Sequence, residues 1–141
     1  MSVNVYMVFN GNCEEAVGYY ATVFGTEPPE LSRFGDMPAE PGQDMPEEMK
    51  SRIMHANLNI HGSPVMFSDA MSEAPITIGQ NINVTVLSDD LKKMESEFEQ
   101  LAQDGTIHME LQETFWSPGY GIVEDKYGIV WMFNHDDGQT S

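Results

Sequence analysis

The chain has 141 residues, of which 40% are hydrophobic, so one domain with a packed core is expected and global disorder is not. It carries 23 Asp and Glu residues against 6 Lys and Arg. The resulting net charge of −17 argues against binding to nucleic acids or to membrane surfaces, since both are anionic. No apolar run reaches the length of a membrane span and the N-terminus lacks the pattern of a signal peptide, so a cytoplasmic location is expected.

The first half of the chain is predicted to form a strand, a helix and three more strands. Asn12 and Glu15 have the spacing of a capping box at the start of the helix, and Gly25 stands where a left-handed residue would end it. The predicted elements are a strand at 3–9, a helix at 13–24, and strands at 31–34, 52–61 and 64–68. One mostly polar face of the long strand is expected to carry Ile53, His55, Asn57, Asn59 and His61.

The second half repeats this plan. The predicted elements are a strand at 80–87, a helix at 90–104, and strands at 106–114, 120–125 and 129–134. A shift of 78 residues lays Ala16 on Met94 and Tyr20 on Phe98. We therefore predict an α+β fold in which a single domain is made of two βαβββ modules, at about 1–79 and 80–141. Helices should cover one face of each sheet and leave the other face open as a curved trough.

Residues 36–50 interrupt this pattern. They contain five acidic residues and three prolines, a composition that buries little apolar surface. We expect a long loop there, and the most mobile internal segment of the protein.

Several short motifs together resemble one protein family. They are the run Phe9–Ala16, Tyr19-Tyr20, Val23-Phe24-Gly25, Met54-His55-Ala56, Ser68-Asp69-Ala70, Gln112–Trp116, Tyr120-Gly121, and Asp125–Gly128 leading to Trp131 and Asn134. This set resembles the PhnB-like branch of the vicinal oxygen chelate superfamily, also called the glyoxalase/bleomycin-resistance/dioxygenase superfamily. The resemblance implies paired βαβββ modules that form a cup-shaped mixed sheet with helices on the outer face, often in a homodimer. Its members include metal-dependent isomerases, dioxygenases, thiol transferases and metal-free antibiotic-binding proteins.

The resemblance also implies where a divalent metal would be held. The ligand positions fall on Val5, Met66, Asn83 and Met132, or, with a slip of one residue, on Tyr6, Phe67 and Phe133. None of these is His, Asp or Glu, so no metal is predicted at the family position. A relocated site at His108 and Glu110, or between His55 and His61, lacks a third ligand at suitable spacing.

Other chemistries find little support. Cys13, the only cysteine, excludes an intrachain disulfide, and it falls on the apolar stripe of the first helix, which indicates a core residue. Members of the branch also carry a ubiquinone-pathway methyltransferase description. However, Gly119-Tyr-Gly121 is no dinucleotide fingerprint and the chain has no room for a Rossmann-type domain. Acid–base chemistry stays open, with four candidates able to reach the trough: His55, Asp69, Glu110 and Glu113.

Aromatic residues near the second-half strands point to ligand binding. Trp131 is expected in the core, whereas Phe115 and Trp116 come at a strand end, where alternation would turn their rings to opposite sides. We predict a homodimeric protein that binds a small molecule without metal or cofactor, breaks no bond, and has neither nucleic-acid nor membrane partners. The predicted ligand-binding residues are His55, Asn57, Asn83 and Asn134 in the trough and Phe115, Trp116 and Tyr120 at its rim. The alternatives are a lyase- or dioxygenase-type enzyme using a metal or an acid–base pair in the same trough, and a pure interaction module.

Overall fold

The computed structural model describes residues 2–36, 45–71 and 74–136. The chain divides into two compact units, Met1–Thr77 and Ile78–Ser141. The first contains β1 (Val5–Phe9), α1 (Cys13–Phe24), β2 (Glu30–Arg33), a 3-10 turn (Phe34–Asp36), α2 (Glu47–Lys50), β3 (Ile53–Ile60) and β4 (Ser63–Asp69). The second contains β5 (Val84–Ser88), α3 (Leu91–Gln103), β6 (Thr106–Gln112), β7 (Tyr120–Glu124) and β8 (Val130–His135).

The two units share one strand order. The first sheet runs β1-β4-β3-β2 and the second β5-β8-β7-β6. In each, the first strand is parallel to the last and the other pairs are antiparallel. The predicted α+β fold of two βαβββ modules is therefore confirmed, whereas their union in a single domain stays a prediction.

Each long helix packs on one face of its own sheet. The Tyr20 ring of α1 stacks on Phe67 of β4 at 6.0 Å between centroids, and the Phe98 ring of α3 meets Phe133 of β8 edge-on at 5.7 Å. The apolar stripes predicted for the two helices are buried, because each helix turns its apolar side to the sheet and its polar side to solvent. We call the opposite face of each sheet, away from α1 or α3, its uncovered face.

The start of α1 differs from the prediction. Asn12 makes no capping hydrogen bond through its side chain. Instead Asp69, at the end of β4, accepts hydrogen bonds on Oδ1 from the backbone N–H groups of Gly11 (2.8 Å) and Cys13 (2.9 Å). Its Oδ2 accepts from the N–H of Ile53 at 2.9 Å. A distant carboxylate thus accepts the N–H groups at this helix start in place of the Asn12 side chain, while Gly25 ends the helix with φ +63° as predicted.

Strand β3 also departs from simple alternation. Ser32 pairs with His55 and Arg33 with Ile53, so Met54 is an extra residue in a β-bulge. The bulge turns Ile53 into the core, where it is fully buried, although it was predicted on the polar face. His61 likewise leaves that face and, with Gly62, forms a two-residue turn at positive φ.

The predictions for the strand at 80–87 and for the loop at 36–50 also need comment. The strand predicted at 80–87 begins only at Val84, and Ile82, expected on its inner face, is 80% exposed. Residues 37–44 of the predicted mobile loop lie outside the described residues, while 47–50 form α2. Among the described residues, no helix is both long and apolar enough to span a membrane.

Candidate functional site

The uncovered face of the first unit presents a mixed row of side chains. Strand register aligns Tyr6, Met66, Asn57 and Glu30 across the sheet. His55 lies on the same face, and its ring is 6.3 Å from that of Tyr6. Two predicted ligand-binding residues, His55 and Asn57, therefore share this surface with an exposed tyrosine.

The uncovered face of the second unit holds the other predicted residues. Register places Leu87, Asn134, Tyr120 and Gln112 in one row of this face. A second row consists of Thr85, Met132, Ile122 and Met109. Asn83, just before β5, donates a hydrogen bond from its amide to the sulfur of Met132 at 3.4 Å.

Three aromatic rings contact one another at one end of the uncovered face of the second unit. Phe115 and Trp116 lie 4.7 Å apart at an interplanar angle of 86°, and Trp116 and Tyr120 lie 5.3 Å apart at 75°. Phe115 is 97% exposed and Trp116 47% exposed. We call these three residues the aromatic corner.

Hydrogen bonds fix the backbone beneath the aromatic corner. The Thr114 N–H donates to the Ser117 carbonyl at 2.8 Å, and the Ser117 N–H donates to Thr114 Oγ1 at 3.1 Å. The buried Ser117 hydroxyl donates to the Gly119 carbonyl at 2.9 Å. The expectation that alternation turns the Phe115 and Trp116 rings to opposite sides does not hold, since the two rings lie 4.7 Å apart and both are exposed. The reason is that β6 ends at Gln112 and strand alternation no longer applies.

Asn134 has an unmet hydrogen-bonding group. Its side-chain oxygen is buried and has no hydrogen-bond partner within the parts of the chain that the structure describes. Its partner in the β7–β8 register is Tyr120 of the aromatic corner. Sequence analysis named Asn134 as a trough residue, but the missing partner is visible only in three dimensions.

The residues at the family's metal positions do not fit a metal. Val5 lies two residues before the buried Met7 in β1, so the two side chains share the helix side of the sheet. Phe67 and Phe133 are fully buried on the helix side of their sheets. The positions that do reach the uncovered faces are Tyr6, Met66, Asn83 and Met132. A phenol, an amide and two thioethers are poor ligands for Zn, Ni or Fe(II). Nor do the described residues bring three His, Cys, Asp or Glu side chains together elsewhere.

A histidine–carboxylate pair occupies the uncovered face of the second unit. His108 Nε2 lies 3.2 Å from Glu124 Oε1, which also accepts a hydrogen bond from the Gln80 amide at 3.2 Å. The His108–Glu110 pair considered from sequence is thus replaced by a contact between neighbouring strands. A bulge at His108 and the β6–β7 register create it, and neither is visible in residue spacing.

Two candidate groups prove to be structural. Asp69 was expected to reach the trough, but it is buried on the helix side with its carboxylate bound to backbone N–H groups. Cys13 is buried, as predicted, and burial together with the nearby Asp69 charge raises the pKa of its thiol to about 12. A thiol with so high a pKa is a poor nucleophile at neutral pH.

The predicted site residues therefore form two groups. His55 and Asn57 lie on the uncovered face of the first unit. The others, Asn83, Phe115, Trp116, Tyr120 and Asn134, lie on that of the second unit or beside it.

Comparison with known proteins identifies the family. The model of a family described as 3-demethylubiquinone-9 3-methyltransferase matches residues 2–133. The chain is 37% identical to protein YjdN of Escherichia coli over 141 residues, covering 95% of each chain.

Two solved structures share the fold. The crystal structure of PA1353 from Pseudomonas aeruginosa is 31% identical with a TM-score of 0.78, covering 96% of this chain and 98% of that one. A Bacillus cereus PhnB protein, titled a putative 3-demethylubiquinone-9 3-methyltransferase, is 24% identical with a TM-score of 0.74, covering 96% and 100%. The chain belongs to the family described as 3-demethylubiquinone-9 3-methyltransferase, the PhnB-like branch of the vicinal oxygen chelate superfamily.

Proposed function

We propose that this protein binds a small organic ligand on the uncovered faces of its sheets and does so without a metal. The aromatic corner carries the proposal. An apolar ring that is 97% exposed is costly in water unless something covers it, and the hydrogen-bonded turn holds it in place before binding. Amide groups at Asn83 and Asn134 would orient polar parts of the ligand.

The donor set supports binding without metal. The family's ligand positions on the uncovered faces carry side chains that coordinate hard or borderline cations weakly. The protein would therefore act by sequestering or carrying its ligand, with no bond broken. We further propose that it works as a cytoplasmic homodimer without cofactor.

Metal analysis tests the first part of this proposal. Protein purified without added metal should hold well under one equivalent of Zn, Ni, Fe or Mn by elemental analysis. One tightly bound equivalent that is lost on changing His55 or His108 would overturn metal-free binding. Sedimentation equilibrium tests the proposed dimer.

Ligand binding is tested with N-phenyl-1-naphthylamine, a neutral aromatic fluorescent probe. Trp116→Ala should weaken its binding by about 1–3 kcal/mol while costing little stability, because Trp116 is half exposed. Trp131→Phe serves as the contrast: this fully buried ring donates to Asp125 at 2.8 Å, so the change should lower stability and spare binding. Absence of probe binding, or equal binding by Trp116→Ala, would contradict the proposal.

One observation favours a second candidate, an acid–base enzyme. The 3.2 Å contact with Glu124 would orient the His108 ring toward a ligand on the same face. The hemithioacetal of methylglyoxal and glutathione serves as test substrate. A binding protein leaves it unchanged, whereas turnover that disappears in His108→Gln would favour the enzyme.

A further inference from the structure

The second unit, which carries the aromatic corner, has a strongly negative net charge. Residues 78–141 contain twelve Asp and Glu side chains against three Lys and no Arg. Lys92 and Lys93 belong to the first turn of α3, and Lys126 sits 5.4 Å from the Tyr127 ring centroid. One carboxylate, that of Glu113, belongs to a residue two positions before Phe115 in the chain. This field attracts cations and repels anions.

The ring geometry suits a cation as well. An aromatic ring is negative over its face and positive at its edge, so rings that meet near 90° contact one another edge to face and keep further face area free. Phe115 is almost wholly exposed and Trp116 is half exposed, so both offer ring surface to a ligand. A positive group within about 6 Å of such a face is attracted by it.

The Asn134 side chain favours a ligand that carries a hydrogen-bond donor. Its side-chain oxygen is an acceptor with no partner in the described part of the unit, next to Tyr120 in the strand register. Turning this amide toward a ligand breaks no hydrogen bond through that oxygen. A ligand N–H would satisfy it, whereas a carboxylate or phosphonate would oppose it.

We propose that the aromatic corner and Asn134 bind an organic cation that carries N–H groups, such as a protonated amine or an amidinium. The inference rests on the proposed ligand-binding function and names its ligand class. The aromatic corner would take the positive, flat part of the ligand, and Asn134 would accept one N–H.

Three planar probes of nearly equal shape test the charge requirement. Benzamidinium is a cation with N–H donors, benzamide is neutral, and benzoate is an anion without N–H. By calorimetric titration, benzamidinium should bind about tenfold more tightly than benzamide, and benzoate should bind most weakly. Added salt should weaken benzamidinium binding and leave benzamide almost unchanged, because only the charged probe is screened.

Two variants assign this binding to the proposed residues. Phe115→Leu keeps apolar area but removes a ring, and it should reduce the preference for benzamidinium over benzamide about threefold or more. Asn134→Ala removes the acceptor and should weaken benzamidinium by about tenfold. Ile82→Ala, which trims an exposed apolar side chain of the same unit, is the matched control and should bind as the unchanged protein does.

The outcomes separate this inference from the proposed function. Equal or weaker affinity for benzamidinium than for benzamide would overturn the cation class, even if N-phenyl-1-naphthylamine still binds. A benzamidinium preference that survives both Phe115→Leu and Asn134→Ala would also overturn it, since the cation would then bind elsewhere. Failure of the neutral naphthylamine probe alone would count against the proposed general ligand site and not against the charge preference.

Discussion

Cys13 and Asp69 show how one carboxylate shapes the interior of the first unit. The Asp69 oxygens accept three backbone N–H groups from the chain before α1, from α1 itself and from β3. Its charge also faces the Cys13 thiol, whose pKa is raised by burial first and by Asp69 second. Both groups therefore belong to the stability of the fold and not to its chemistry.

Stability should fall at alkaline pH because of Cys13. The thiol's pKa rises from an ordinary 9.0 to about 12 in the folded protein, so the unfolded chain loses the proton first. The stabilising contribution of this group is complete below pH 9 and is lost as the pH rises through 12.

Urea unfolding of Cys13→Ala isolates this effect. The variant should be less stable by about 1 kcal/mol at neutral pH, since one methyl-sized group is lost from the core, and its stability should decline less steeply above pH 9. Every other residue is the same in both proteins, so the difference between the two pH profiles reports Cys13. Parallel pH profiles would show that the thiol is not shielded.

Asp69→Ala should be among the most damaging single changes in the first unit. It leaves three backbone N–H groups without their charged acceptor, and we expect a loss of roughly 3–5 kcal/mol in the free energy of unfolding. Asp36→Ala is the control, since the hydrogen bond that Asp36 accepts from the Arg33 N–H at 2.9 Å is exposed. It should cost at most about 1 kcal/mol. A similar loss in both variants would argue against the structural role of Asp69.

At the scale of elements, two glycines should respond oppositely to alanine. Gly18 lies inside α1, and apart from the helix's own backbone no atom of the described residues lies within 4 Å of an added Cβ, so Gly18→Ala should stabilise the protein by about 0.5–1 kcal/mol. An added Cβ at Gly121 in β7 would lie 2.8 Å from Leu111 Cα and 2.9 Å from the Phe98 ring. Gly121→Ala should therefore cost about 1–3 kcal/mol. Thermal unfolding compares them, and a stabilising Gly121→Ala would refute the close packing of β6, β7 and α3.

Helices and strands were predictable because the spacing of their apolar residues shows which side of each element is buried. Met94, Phe98 and Leu101 recur at helical spacing, and all three are buried. Contacts between distant segments were not predictable. The carboxylate that accepts the Cys13 N–H at the start of α1 lies 56 residues away in the chain. The contact between His108 and Glu124 depends on a β-bulge that the local sequence does not indicate.

The candidate site shows the same division. Residue type was enough to single out Asn134, Trp116 and Tyr120, since amides and aromatic rings suit ligand binding. The register that places Tyr120 beside Asn134 comes from strand pairing, and the perpendicular ring contacts come from a turn fixed by Thr114 and Ser117. Sequence therefore named candidate residues for the site, while the structure shows which of these candidates are neighbours.

At the scale of the whole molecule, the prediction of a single domain has a direct test. The two units span 1–77 and 78–141. A lone core of fewer than about 70–80 residues rarely supplies more than about 3–5 kcal/mol. We therefore expect neither unit to be stable alone, and both to unfold in one cooperative transition.

Each core contains its own reporter for this test. Cys13 is buried in the first unit and Trp131 in the second, and a Trp116→Phe variant makes Trp131 the only tryptophan. Urea unfolding can then be followed by maleimide labelling of the thiol and by tryptophan fluorescence in the same samples. Coincident midpoints are expected if the units depend on one another for stability. Midpoints that separate, with one reporter still protected while the other is exposed, would mean that the chain is two domains, because each core would then persist without its neighbour.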